Sequence, residues 1–428
     1  MQSLFILGRQ PALGLAEIES LYRADKIRKV GQTAAVLDVE PRQVDFSRLG
    51  GTVKFCKVLT TLDTTAWQQI EKFLKTAVPK HAALLPEGKM RLGLSVYGLN
   101  VPVKQVNATG LELKKVIRSK GRSVRVIQGN ELFLNSAQVL HNQLTGQLGW
   151  ELIFVRNGNK TILAQNIAEQ DIEAYTARDQ KRPKRDARVG MLPPKLAQII
   201  INLAVGQVKE QSESYLKVRR ASTGGSDAAT RQEKERVTSF AREQVLSPVT
   251  ILDPFCGTGV ILQEAALMGY NVYGTDIEQR MVDYSRANLD WLQNTYNLEP
   301  ITYNLLQADA TSYTWTHDSN FIASETYLGR PFTSSPDHKT LTTTINDCNT
   351  ITKKFLGNVA KQTKAGFRMC LAVPTWRIDG NFKHLPLLDS LTDMGYTRLS
   401  FVHVKNEDLI YYREDQIVAR ELLVLERK

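Results

Sequence analysis

Cysteine is scarce: four in 428 residues, at positions 56, 256, 348 and 370, with no C-x-x-C pair among them. That spacing argues against a disulfide-framed scaffold and against a cysteine-ligated metal module, and it fits a reducing, cytoplasmic setting with no metal expected. Long apolar runs are missing too. Nothing approaches the ~20 residues that cross a bilayer, so no membrane association is expected. The opening MQSLFILGRQPALG has no basic region ahead of its short apolar run and no cleavage pattern, and it reads as a first strand rather than a signal peptide. No internal repeat is evident, and nothing in the sequence points to a protein partner.

What is present in excess is positive charge, and it is lopsided. The chain has 55 Lys and Arg against 44 Asp and Glu, a net charge of +11. Residues 1–190 hold 29 of the basic and 17 of the acidic residues, which leaves 26 and 27 for residues 191–428. The whole surplus lies in the front. A field of this kind attracts a phosphate backbone, because each neutralised phosphate releases counterions. The expectation is a polyanion-recruiting front and a catalytic or ligand-binding back, in two or three domains for a chain this long.

Hydrophobic periodicity divides the chain further. Residues 1–80 alternate strand-like runs (SLFILG, TAAVLDV, VKFCKVLTTL) with helical ones, as a small ferredoxin-like α+β domain would. Residues 81–170 form a second α+β module, ending in WELIFVRNGNKTILAQNI, whose NGN marks a hairpin. A basic linker covers 171–192. Residues 193–428 follow, opening with Pro193 and Pro194 at a helix start and carrying a polar insertion at 206–247. From Val249 the pattern becomes strand–helix–strand: VTILDPF, GVILQEAALMG, YNVYGTD, QRMVDYSRANLDWL, then strands at FIASE, FRMCLAV and RLSFVHV and a C-terminal hairpin. This is a doubly wound, Rossmann-like α/β sheet with an antiparallel edge.

DPFCGTG (253–259) ends a strand and opens a helix. Gly257 and Gly259 let the backbone approach a ligand closely. The three residues after Gly259 are Val, Ile and Leu, so the dinucleotide pattern G-x-G-x-x-G is not completed. Asp253 lies before the glycines, Asp276 closes the next strand, and Asp309 in QADAT follows a third. An acid at the second strand end can accept both ribose hydroxyls, and one at the third can accept from an adenine amine. Three acids at three successive strand ends fit S-adenosylmethionine. Cys256 has nothing nearby to activate it and reads as a packing residue.

These motifs resemble those of class I methyltransferases. RDQKRPKRDARVGMLPPKLAQIIINLA together with DPFCGTG resembles the THUMP-domain tRNA guanosine-N2 methyltransferases, over most of the chain. The resemblance implies a class I methyltransferase domain behind ferredoxin-like and THUMP-like modules. It implies S-adenosylmethionine as cofactor, held by Asp253, Phe255, Gly257, Gly259, Asp276, Ile277, Asp309 and Ala310, and methyl transfer to a guanine N2 in tRNA.

In that family the fourth strand ends in D-P-P-Y. An exocyclic amine is a poor nucleophile because its lone pair is conjugated with the ring. An acid and a backbone carbonyl, stiffened by proline, localise that lone pair, and the aromatic residue stacks on a flipped base. Here the strand ends in Ser324-Glu325-Thr326-Tyr327-Leu328-Gly329, without either proline. Aligned on Gly329, Glu325 takes the acid position. Aligned on Tyr327, Ser324 does. The favoured set is Glu325 as acceptor and Tyr327 as stacking residue, with Ser324 as the other acceptor. The competing role for Glu325 is to cap the loop or pair with Arg330, and loss of both prolines suggests a less preorganised turn. A homologue that binds tRNA with impaired catalysis, or a methyltransferase for ribosomal RNA or DNA, stays open as an alternative.

For RNA contacts, Lys114, Lys115 and Arg118 share a helical face. With Lys120 and Arg122 in the following turn they make the preferred phosphate patch. The linker cations Arg178, Lys181, Arg182, Lys184, Arg185 and Arg188 are a second group, of which Arg182 and Arg185 are the favoured contacts.

Overall fold

The computed structural model describes residues 1–186, 192–207, 249–298, 302–332 and 334–428. The insertion expected at 206–247, apart from its first two residues, and Arg188 lie outside these. The described residues gather into two units. The first is Met1–Leu15 with Tyr22–Ala174, and the second is Ala16–Leu21 with Tyr175–Lys428.

The first unit is built on one sheet of eight strands: β1 (Ser3–Leu7), β2 (Ile27–Val30), β3 (Ala34–Leu37), β4 (Thr52–Leu62), β5 (Met90–Tyr97), β6 (Val124–Ile127), β7 (Gly149–Asn157) and β8 (Lys160–Glu169). Their order is β2-β3-β1-β4-β8-β7-β5-β6. The boundary expected near residue 80 is therefore not a break in the sheet: β4 pairs antiparallel with β8, from Lys54 opposite Glu169 to Leu62 opposite Thr161. The NGN turn joins β7 to β8, with Gly158 at φ 61°. Helices α2 (Trp67–Ala82) and α3 (Val103–Ser119) bury stripes such as Ile70, Leu74 and Val78 or Val106, Gly110, Leu113 and Ile117, spaced three to four residues apart. They share a core with Leu92 and Phe154. The Trp67 indole donates to Thr109 Oγ1 at 2.9 Å and ties the two helices together.

A polar knot is buried in this unit. Lys54 Nζ lies 2.5 Å from Glu151 Oε1 and 3.8 Å from Glu169 Oε2, with all three side chains almost fully enclosed. Asn166 donates to both carboxylates, Ser95 to Glu151 and Ser136 to Glu169. The knot also holds a loop, since Lys54 donates to the Leu134 carbonyl and Leu134 N–H donates to Ser95 Oγ.

The second unit is the doubly wound sheet. Its strands are β9 (Thr250–Asp253), β10 (Asn271–Asp276), β11 (Tyr303–Gln307), β12 (Phe321–Glu325), β13 (Arg368–Ile378), β14 (Asn381–Lys383), β15 (Tyr396–Arg398), β16 (Ile410–Tyr411) and β17 (Val418–Arg427). The main order is β11-β10-β9-β12-β13-β17-β15, with the first five parallel and β17 reversed. This is the doubly wound α/β sheet with an antiparallel edge that the sequence pattern predicts. Of RLSFVHV only Arg398 belongs to a strand, as the last residue of β15. Beyond it Leu399 N–H bonds the Val424 carbonyl once, and Glu19 receives the N–H groups of Val402 and His403.

Helices cover both faces. α6 (Pro194–Val205), with Pro193 as its N-cap, is buried on nearly every side. α9 (His338–Gln362) is capped by Asp337, whose carboxylate accepts from Thr340 N–H at 2.8 Å, and it buries Leu341, Cys348, Phe355 and Val359 against the sheet. The supposed linker contains a helix of its own, α5 (Ile172–Gln180). No helix among the described residues is long and apolar enough to cross a membrane.

Candidate active site

Strand order reverses at β9: the chain runs outward through β10 and β11, then returns to place β12 on the other side of β9. Ligand crevices in open α/β sheets form at the carboxyl ends of the two strands flanking such a switch point. Here those ends carry Asp253 and the Ser324–Glu325 pair.

The glycine loop leaves β9 and enters helix α7 (Val260–Leu267). Gly257 and Gly259 adopt φ 51° and 81°, and a Cβ on Gly259 would lie 2.8 Å from Ser285 Oγ. Helix α8 (Gln279–Tyr296) holds this loop from outside. Ser285 Oγ donates to the Gly257 carbonyl at 2.8 Å, and Asn288 Nδ2 donates to the Thr258 carbonyl at 2.8 Å. From the neighbouring strand end, Asp276 accepts from Gly257 N–H at 2.9 Å and from Glu278 N–H at 3.0 Å. Next to it Ile277 is 65% exposed, an unusual setting for an isoleucine. Asp309 follows β11 and accepts from the N–H and hydroxyl of Thr311. Ala310 is buried, and its carbonyl accepts from Asn358. Phe255 packs edge-on against Phe355 at 5.1 Å. All eight residues expected at the cofactor thus lie at or just beyond the carboxyl ends of β9, β10 and β11.

Burial raises the pKa of two of the acids. Asp253 is pushed up to about 7 by loss of solvent, against the lowering effect of hydrogen bonds from Ser324 and Phe255 N–H. Asp276 is raised for the same reason, against its backbone N–H donors. The Cys256 thiol is pushed far up by burial and is no nucleophile.

The turn after β12 is fastened at three points. Ser324 Oγ donates to Asp253 Oδ1 at 2.6 Å in a buried bond that spans the switch point. The Glu325 carboxylate accepts from Arg420 Nε at 2.7 Å, and both side chains are largely buried. Thr326 N–H donates to the Ala372 carbonyl at 3.0 Å. Glu325 stands opposite Ala372 in β13, and Arg420 stands opposite Pro374, two residues further along. The expectation of a looser turn needs correction, because hydrogen bonds and an ion pair provide the anchoring that the prolines would have given. The partner of Glu325 is Arg420 and not Arg330. Tyr327 is 42% exposed, open enough to receive a planar ring.

Two of the cations expected to face RNA do not. Arg122 donates to the Leu85 and Pro86 carbonyls and braces that loop. Arg182 is buried. Lys115, Arg118, Lys120 and Arg185 are exposed and Lys114 is half-buried, with Lys115 paired to Glu112 at 2.7 Å. Sequence reasoning missed Arg420, Ser285 and Asn288. A charged residue inside the apolar run VARELLVLER was the one available signal for the first.

Residues 241–350 match the family model described as "RMKL-like, methyltransferase domain". The chain is 67% identical over 39 residues to the tRNA (guanine(10)-N2)-dimethyltransferase of Methanothermobacter thermautotrophicus, covering 9% of this chain and 12% of that protein. It is 27% identical over 150 residues to the enzyme of that name from Methanocaldococcus jannaschii, covering 35% and 30%. The matched stretch spans less than a third of either relative's length. Among solved structures, TrmN from Thermus thermophilus aligns over 100% of both chains with a TM-score of 0.49 and 15% identity. Within the second unit, residues 241–350 are thus similar to an RMKL-like methyltransferase domain, and shorter stretches are similar to tRNA (guanine(10)-N2)-dimethyltransferases.

Proposed function

We propose that the chain is an S-adenosylmethionine-dependent RNA methyltransferase acting on the exocyclic N2 of a guanine in tRNA. The observation that carries this reading is the Ser324–Asp253 hydrogen bond, which brings the acceptor turn against the cofactor loop. The residues present fit the cofactor. Two left-handed glycines give a cradle without side chains, three carboxylates line the strand ends, and an exposed isoleucine offers an apolar face for a purine. When bound, the cofactor supplies an electrophilic methyl group on a cationic sulfur.

The chain's own residues do the rest. Asp276 accepts ribose hydroxyls and Asp309 an adenine amine. Ser324 donates its hydroxyl hydrogen bond to Asp253, which leaves its oxygen lone pairs to accept a hydrogen bond from the guanine amine. Glu325, steadied by Arg420, accepts the other. Holding both hydrogens turns the amine lone pair towards its target, a positioning effect. Tyr327 stacks on the flipped base. In the first unit, exposed Lys115, Arg118 and Lys120, together with Lys114, contact phosphates as part of a THUMP-like module, and recognition there is by shape and backbone.

Incubation with labelled cofactor and total tRNA, followed by nucleoside mass spectrometry, tests the reading. N2-methylguanosine in tRNA is the expected product. Transfer to ribosomal RNA or DNA alone, or to nothing, overturns it.

Asp253 also sets a pH dependence. If its ionised form is the one that receives the cationic cofactor, the apparent affinity falls as Asp253 gains a proton below pH 7. With that pKa, S-adenosylhomocysteine binding weakens by about tenfold from pH 8 to pH 6 and releases a proton near neutrality. Calorimetry in two buffers of different ionisation enthalpy measures both effects. Charge reversal of Arg118 and Lys120 together weakens tRNA binding and lowers the salt slope by roughly 1 for each phosphate no longer neutralised. Filter binding across a salt series reads this.

A further inference from the structure

The Arg182 guanidinium is 3% exposed, and its Nε, Nη1 and Nη2 have no hydrogen-bond partner among the described residues. A buried ion with no partner is among the costliest arrangements a protein holds, and it calls for a group that the described residues do not supply. Its neighbours make the contrast clear. One turn earlier, Arg178 is fully engaged, with Nε and Nη2 on the two oxygens of Glu264 at 2.7 and 3.3 Å. Glu264 also receives Gln198, so its oxygens are already in use. Asp179 and Glu264 influence the charge of Arg182 from a distance, and Arg185 opposes them.

The segment that carries Arg182 is laced to the cofactor loop. Lys184 N–H donates to Asn288 Oδ1 and Asn288 Nδ2 donates back to the Lys184 carbonyl, both at 2.9 Å. The same Asn288 amide holds the Thr258 carbonyl. Two residues further on, Asp186 pairs with Arg280 at 3.0 Å in the first turn of α8, which starts from the carboxyl end of β10. Arg182 is thus two residues from a strap crossing the glycine loop at the sheet's carboxyl edge. That edge is rich in acids, of which Asp253 suits the cationic part of the cofactor while Asp276 and Asp309 take neutral donors. The cofactor's amino-acid end also carries a carboxylate, and an acid-lined site needs one cation to receive it.

We propose that Arg182 is the carboxylate subsite for the amino-acid portion of the cofactor, its planar fork taking the two oxygens. This rests on the cofactor reading above. The experiment compares S-adenosylhomocysteine with methylthioadenosine, which has the same nucleoside and lacks the amino acid, by calorimetry on the wild-type chain, Arg182→Met and Arg182→Lys. In Arg182→Met, homocysteine-form binding falls by ~30-fold or more, as expected for a desolvated charge pair, and methylthioadenosine binding stays within threefold. Arg182→Lys lies between. In the ligand-free state, Arg182→Met melts at least about 3 °C higher than wild type, because an uncompensated buried ion has been removed.

Equal losses for both ligands, or none, overturn the proposal. So does a ligand-free Arg182→Met that is less stable than wild type, which would make the residue a structural support. If only the salt slope of tRNA binding changes, the anion is an RNA phosphate and the cofactor assignment fails. If the wild type binds neither nucleoside ligand, the cofactor reading itself falls, and the ligand-free melting result still reports on the unpaired charge.

Discussion

Glu325→Ala is expected to lower turnover by 100-fold or more, on the order of 3 kcal/mol of transition-state stabilisation, while S-adenosylhomocysteine affinity stays within about threefold. Two losses combine in this variant. On the proposed mechanism an acceptor at the reacting amine disappears, and in the structure Arg420 is left in a largely buried position without its counter-charge. The second loss costs stability, about 3–5 kcal/mol when one partner of a buried pair is removed. Glu325→Gln separates the two, because an amide oxygen still accepts from Arg420 Nε. If Glu325→Gln is stable yet slow, the carboxylate serves the chemistry. If it is stable and fully active, the pair is only a brace and the acceptor role passes to Ser324. Single-turnover rates and a denaturant titration on the same preparations decide between these.

The second large effect belongs to the first unit. Lys54→Met leaves the enclosed carboxylates Glu151 and Glu169 without a cation, and the expected loss is again about 3–5 kcal/mol of unfolding free energy. The sign of its pH dependence follows from Glu169, which burial holds above the usual carboxylate range against the lowering effects of Lys54 and Ser136. Between the ordinary and the raised pKa, the folded chain keeps a proton that the unfolded chain has released. Stability therefore falls as pH rises through that window. Removing Lys54 takes away a lowering influence and extends the window upward, so the penalty is smaller at pH 5 than at pH 8. Urea unfolding at the two pH values checks this. A penalty that grows on acidification would contradict the account.

The clustering of Asp253, the glycine loop and Asp276 at one sheet edge was legible because its signals are local. Asp253, Gly257 and Gly259 lie within seven residues, and Asp276 follows at the next strand end, so strand periodicity alone places them at one edge. The acceptor turn was half legible. Its position followed from FIASE, but its stiffness depends on Arg420, 95 residues away, and on the reversed β17 lying two strands over. Linear spacing carries no trace of that. The same blindness hid the Lys54 knot, whose charged members come from β4, β7 and β8. It also made Arg182 look like a surface cation, since a run of Arg, Lys and Pro reads as solvated until packing encloses one of its members. RLSFVHV was over-read for the opposite reason. Its β-branched and aromatic residues favour a strand, but after Arg398 the segment leaves the ladder and its amides bond elsewhere.

Helix α1 (Pro11–Leu21) gives its last six residues to the second unit. There Glu17 accepts from the Asn202 amide at 2.7 Å, Arg368 donates to Ser20 Oγ at 2.7 Å, and Glu19 caps the backbone N–H groups of Val402 and His403. A fragment beginning at residue 175 would lack all of these and would be expected to express poorly. Anyone wishing to express the second unit on its own should carry the sequence AEIESL along with it, supplied as a peptide in trans or fused by a permuted terminus.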